Sequence, residues 1–213
     1  MAVLIGVVSQ KGGVGKSMIS RLLAMEYARV DWNVLIADMD SSQSTSYEWN
    51  LRRQKNKVSP LIHVERFIDV EDTIQVQESY DLVIFDGAPH ASRMTKSIAN
   101  IVHLLLLPTG NSIDDLNPQI RLAHELVNDG INKNKLAFVL SRVGNSHAEL
   151  DEVLNYLNQT GYMILSGHIL EKTAFRQAVR EGRSISETRY IRLTNKCEEV
   201  VQSVADRIDY LTK

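Results

Sequence analysis

Nine residues constrain this chain most: Ser9-Gln10-Lys11-Gly12-Gly13-Val14-Gly15-Lys16-Ser17, set directly after the apolar stretch Ala2 to Val8 and before a helical pattern. Glycines permit positive φ and close backbone approach, so successive N–H groups of such a turn point inward and wrap a polyphosphate. The helix that follows adds the positive end of its dipole. In this arrangement Lys16 reaches the β- and γ-phosphate oxygens, and the Ser17 hydroxyl is placed as a Mg²⁺ ligand. A surface turn, the plainer meaning of a Gly/Lys cluster, accounts for neither the strand before it nor the helix after it.

The general pattern G-x-x-x-x-G-K-[ST] is broken here, because Gln10 stands where the first glycine is expected and Lys11 follows it. A second lysine among phosphate contacts is repulsive in an empty loop, so it makes sense only if phosphates occupy the site, the chain's own or a partner's. With that lysine, Lys11-Gly12-Gly13-Val14-Gly15-Lys16-Ser17 resembles the deviant Walker A loop of the ParA/MinD ATPases. The resemblance implies ATP and Mg²⁺ as cofactors, contacts from residues 11–18 including Met18, and a homodimer with ATP sandwiched between protomers. In that dimer Lys11 would touch the partner's phosphates and act in catalysis together with Lys16. Hydrolysis would be slow and stimulated by another protein.

A length of 213 residues suits one large α/β domain spanning 1–213. With 44% hydrophobic and 23% charged residues, the composition is that of an ordinary globular protein. No apolar run approaches the ~20 residues that span a bilayer, and no basic N-terminal region marks a signal peptide. A cytoplasmic protein is expected. Cys197, the one cysteine, excludes a disulfide framework and a cysteine-built metal site.

Apolar, β-rich runs recur at Ala2–Val8, Asn33–Ala37, Leu61–Val64, Leu82–Phe85, Ile101–Leu107, Lys135–Leu140 and Met163–Ile169. Helical patterns fall at Lys16–Arg29, Ser44–Arg53, Val70–Glu78, Ser112–Asp129, Ala148–Thr160, Thr173–Glu181 and Leu193–Leu211. This alternation predicts an α/β fold, a single-domain P-loop NTPase with a mostly parallel twisted sheet of about seven strands and helices on both faces. Leu82-Val83-Ile84-Phe85 and Leu104-Leu105-Leu106-Leu107 are continuously apolar, which places them in the sheet centre, covered on both faces.

Ligands of open α/β sheets bind beyond the carboxyl ends of strands. Two acidic sites stand there: Asp38-Met39-Asp40 and Asp86-Gly87. Asp86, at the end of a buried strand, fits a Walker B role on Mg²⁺. Asp38-x-Asp40 resembles the same family's switch I, which implies Asp38 as metal support and Asp40 as the residue that orients or activates the attacking water; Ser41-Ser42-Gln43 stands where Pro-Gln is common. Val139-Leu140-Ser141-Arg142 resembles the strand end where the family carries Asn-Arg near the adenine, and so implies Arg142 as a nucleotide contact.

From Glu171 to Arg192 six basic residues face three acidic ones. Arg176, Arg180 and Arg183 stand at i, i+4 and i+7, so with Lys172 they are expected to form one basic helix face suited to nonspecific DNA phosphates. The tail from Cys197 to Lys213 carries four acids and two bases, which disfavours anionic lipid, and Val200, Val204, Ile208 and Leu211 form a core-facing stripe. No membrane contact is expected, and with the first strand starting at Ala2 no preceding helix-turn-helix is expected either. The reading is a small ParA-type partition ATPase, nucleoid-associated, released from DNA by a ParB-like adaptor. The alternative is a ParA/MinD-like positioning ATPase for a flagellar, chemotaxis or microcompartment cargo, or a MinD-like division regulator.

Overall fold

In a computed structural model, residues 2–90 and 92–213 are described. Seven strands, β1 (Val3–Val7), β2 (Val34–Asp38), β3 (His63–Arg66), β4 (Leu82–Asp86), β5 (Leu104–Thr109), β6 (Leu136–Val143) and β7 (Met163–Leu170), form one sheet in the order β3-β2-β4-β1-β5-β6-β7. Every strand pair is parallel. The central β1 lies between β4 and β5, so the loops leaving β1 and β4 open side by side at the carboxyl edge. Among the described residues, eight α-helices connect and cover the strands: α1 (Lys16–Arg29), α2 (Thr45–Lys55), α3 (Val70–Val76), α4 (Ser92–Ile101), α5 (Ile113–Asn128), α6 (His147–Asn158), α7 (Thr173–Arg180) and α8 (Ile191–Thr212).

The pleat divides each apolar run between two cores. Leu105 and Leu107 pack with Val83, Phe85, Ile98 and Leu122 on one face, while Leu104 and Leu106 pack with Ile84, Leu22, Leu23 and Val200 on the other. That is why the four-leucine run is apolar throughout: both faces of β5 are buried. Val200, Val204 and Ile208 of α8 are likewise buried in the second core, as their spacing predicts.

Most boundaries differ from expectation by one to three residues, and two differences change an element. The strand expected at Ile101–Leu107 begins only at Leu104, because Ile101 closes α4, a helix the sequence reading did not place. The helix is held close to the sheet: a Cβ on Gly6 would sit 2.6 Å from Ile98 Cγ2 and from Leu105 Cδ1. The basic stripe is the second difference. α7 stops at Arg180 and Gly182 turns the chain with φ +75°, so Arg183 does not extend the face of Arg176 and Arg180.

Candidate functional site

The glycine-rich loop joins β1 to α1 at the carboxyl edge of the sheet. Gly13 (φ +79°) and Gly15 (φ +98°) take left-handed conformations, and a Cβ on Gly15 would lie 2.3 Å from Ser141 Oγ. No side chain caps α1, so the first N–H groups of the helix are left to a ligand. The loop forms one wall of a cleft of about 510 Å³ lined in part by Gly12, Gly13, Lys16, Ser17, Met18, Asp40 and Arg142. Val14 is buried beneath it.

Lys16 is buried, and its ammonium donates to the Lys11 carbonyl at 3.2 Å. Burial pushes its pKa below the ordinary lysine value, against the pull of Asp86 and Asp40. Lys11 behaves differently. Its ammonium turns to the start of α5, donating to Asp114 O at 2.9 Å and pairing with Asp115 Oδ1 at 2.7 Å, with roughly a third of each side chain exposed. The repulsion expected of two lysines in an empty loop is thus relieved by Asp115, a carboxylate about a hundred positions away in sequence.

Parallel register brings Asp38 and Asp86 opposite each other at the ends of β2 and β4. Asp38 Oδ2 accepts from Ser46 N and Tyr47 N, both at 2.9 Å, in the first turn of α2, and its Oδ1 accepts from Asp40 N at 3.2 Å. Asp86 Oδ2 accepts from the Ser46 hydroxyl at 2.6 Å, while Asp86 Oδ1 is buried with no hydrogen-bond partner among the described residues. Burial raises the pKa of both carboxylates; the neighbouring Asp86 raises that of Asp38 further, and Ser46, Arg21, Ser17 and Lys16 hold that of Asp86 down. The Ser17 and Thr45 hydroxyls meet at 2.8 Å across the cleft.

These oxygens fit Mg²⁺. Among the described residues no group of three or more His, Cys, Asp or Glu gathers as a metal site. A pair of strand-end carboxylates with hydroxyls therefore suits a cation that keeps much of its water, and the orphaned Asp86 Oδ1 is the atom in need of one.

Asp40 lines the cleft. Its Oδ1 accepts from Ser42 N (3.1 Å), Ser42 Oγ (2.6 Å) and Gln43 N (3.0 Å), so Ser42 secures a turn that proline often secures in the family the sequence resembles.

Arg142 takes φ +58° where β6 and β7 slip in register, a bulge that aims the side chain over the loop. Its guanidinium donates to Gly13 O and to Glu171 Oε2, the latter at 2.7 Å, and Arg176 pairs with the other oxygen of Glu171. Lys172, Arg176 and Arg180, expected with Arg183 on one basic helix face, line the same cleft as the phosphate loop; Arg183 is not among the lining residues and stands 3.6 Å from Glu181.

Sequence reading missed Arg21, Thr45, Ser46, Asp115 and Glu171. The hydroxyl run Ser44-Thr45-Ser46 so soon after Asp40 was the one local signal available for any of them.

Comparison with known proteins agrees with this geometry. The sequence matches the family described as "CobQ/CobB/MinD/ParA nucleotide binding domain" over residues 5–185. No curated protein sequence matches. Three of the solved structures that share the fold illustrate the likeness. An ATP complex of McdA from Cyanothece is 18% identical, with a TM-score of 0.74 and 96% of each chain covered. The septum site-determining protein MinD from Pyrococcus horikoshii, complexed with Mg-ADP, is 18% identical, with a TM-score of 0.71 and 96% of each chain covered. A plasmid partition protein from Borrelia burgdorferi bound to AMPPNP is 14% identical, with a TM-score of 0.74, covering 97% of this chain and 100% of its own.

Proposed function

The chain belongs to the CobQ/CobB/MinD/ParA family of nucleotide-binding domains, and from that premise we propose that it is a single-domain partition ATPase of ParA type. ATP would be its substrate, a second copy its partner across the nucleotide, and nonspecific DNA its ligand in the ATP state. A ParB-like adaptor would trigger hydrolysis and release.

The observation that carries the reading is the placement of Lys11. Its ammonium leaves its own loop for Asp115, about a third exposed, in a cavity of about 270 Å³ that adjoins the cleft and shares Gly12, Gly13 and Arg142 with it, where a second protomer's phosphates could displace the carboxylate. Lys16 and the loop N–H groups hold the chain's own phosphates. Mg²⁺, held through Ser17, Asp86 and, behind them, Asp38, would offset charge on the phosphate oxygens. Asp40, anchored through one oxygen, would use the other to orient and accept a proton from the attacking water. Arg142 would lie against the nucleotide.

Two features support DNA over membrane. The apolar stripe of α8, Val200, Val204 and Ile208, is taken up by the core and not presented outward. Arg176 is more than half exposed at the mouth of the cleft, beside Lys172 and Arg180. Among the described residues no helix is long and apolar enough to cross a membrane.

The test is retention on nonspecific duplex DNA. Retention is expected with ATP, lost with ADP, and lost in Arg176→Glu/Arg180→Glu; since both arginines line the nucleotide cleft, ATP affinity is measured in parallel. DNA binding that is absent, or indifferent to nucleotide, rejects the partition reading in favour of positioning a protein cargo. Asp40→Ala is expected to lower ATP turnover about 100-fold or more, the usual scale of a general base, with ATP affinity nearly unchanged. Normal phosphate release by that variant contradicts the role given to Asp40.

A further inference from the structure

We propose that Arg21 and Ser46 are positioning residues for Asp86: they fix its carboxylate so that one oxygen is presented to Mg²⁺, and they thereby set the affinity for that ion. The proposal rests on the metal-site reading above and extends it to two residues outside the ligand set given there, Ser46 and the cleft-lining Arg21.

Arg21 lies on α1 among the core residues Ile19, Leu22 and Leu23, and only 6% of it is exposed. A guanidinium at this depth is costly unless it is paired. Its Nε donates to Ser46 Oγ at 3.1 Å, and its plane stands 5.5 Å from the Trp49 ring centre. Ser46 has one hydroxyl proton, and it goes to Asp86 Oδ2 at 2.6 Å. The bond from Arg21 occupies the hydroxyl oxygen as acceptor, so the proton is held toward Asp86. The backbone N–H of the same serine is spent on Asp38 Oδ2 at 2.9 Å.

One residue of α2 therefore binds both strand-end aspartates, and Arg21 locks its hydroxyl. The consequence falls on the remaining oxygen: among the described residues the buried Asp86 Oδ1 has no hydrogen-bond partner. Partners behind metal ligands characteristically hold ligand orientation in this way, and their loss weakens metal binding about 10- to 100-fold. Simple electrostatics makes the opposite prediction. If Arg21 acted only as a neighbouring positive charge, removing it would tighten Mg²⁺ binding. The sign of the change therefore decides between the two.

The experiment titrates MgCl₂ into the ADP-saturated protein by calorimetry. Arg21→Met and Ser46→Ala are each expected to weaken Mg²⁺ binding about 10-fold or more and Arg21→Lys to recover part of the loss; ADP affinity in EDTA is expected to stay unchanged in Ser46→Ala and is measured in parallel for Arg21→Met, whose side chain also lines the cleft. The chain has two tryptophans, so in a Trp32→Phe background Trp49 reports alone, and its Mg²⁺-dependent emission should move to higher Mg²⁺ by the same factor. Unchanged or tighter Mg²⁺ binding in Arg21→Met overturns the proposal; if Arg21→Met does not fold, unchanged binding in Ser46→Ala does so. A wild-type protein that binds ADP but no Mg²⁺ overturns the metal-site reading itself, a result distinguishable from either.

Discussion

Lys16→Ala should weaken ATP binding by at least about 100-fold, since the ammonium supplies charge-assisted hydrogen bonds to two phosphate groups, each worth roughly 1.5–3 kcal/mol. The same substitution should leave the nucleotide-free protein as stable as the parent, or more so. In the free loop Lys16 is buried, desolvated and rewarded by a single hydrogen bond to the Lys11 carbonyl. Its burial already pushes its pKa down, so the free protein gains little from keeping the charge. Equilibrium binding of ATP measured beside thermal unfolding separates these effects. ATP affinity within about threefold of wild type contradicts the placement of the phosphates.

The second large effect is on stability. Arg53 of α2 is wholly buried, and Glu187 meets it at 2.7 Å and 3.1 Å through both carboxylate oxygens. The guanidinium is otherwise spent on the carbonyls of Pro60 (2.9 Å) and Gly182 (3.1 Å) and on Met25 Sδ (3.1 Å), and Glu187 Oε2 also accepts from Ser184 N at 2.6 Å. Glu187→Ala leaves the guanidinium buried without its counter-charge, which should cost about 3–5 kcal/mol and lower Tm by about 10 °C. Replacing both partners with apolar residues should cost less, because no uncompensated charge is left behind. Denaturant unfolding of the single and double variants reads this directly, and a single-variant loss below about 1 kcal/mol contradicts it. The effect bears on function because α2 carries both this pair and Ser46, the residue bonded to Asp38 and Asp86.

What was legible in the sequence follows from how local each signal is. The phosphate loop, the strands behind it and the aspartates at their ends were readable because each depends on a few adjacent residues. The sheet was equally plain, since burial on both faces leaves an unbroken apolar run in β4 and β5. Helix α4 escaped because its apolar positions, Met94, Ile98 and Ile101, are sparse and stand against the strand that follows, so Ile101 was assigned to that strand. The partner of Lys11 could not be read at all: Asp115 is brought to it by the packing of α5 beside the loop, and no spacing encodes that. The arginine stripe failed locally, for Gly182 reverses the chain before Arg183, and an i, i+4, i+7 count assumes an unbroken helix. Likewise, Arg176 looked like a free surface charge until Glu171 was found between it and Arg142.

Sedimentation in the presence of ATP, AMPPNP or ADP tests the central claim most directly, with wild type compared to Lys11→Ala. The account predicts a wild-type dimer with ATP or AMPPNP and a monomer with ADP, while Lys11→Ala binds ATP nearly as well as wild type yet stays monomeric with every nucleotide. A Lys11→Ala protein that dimerises normally with AMPPNP, or one that loses ATP binding as Lys16→Ala does, contradicts it.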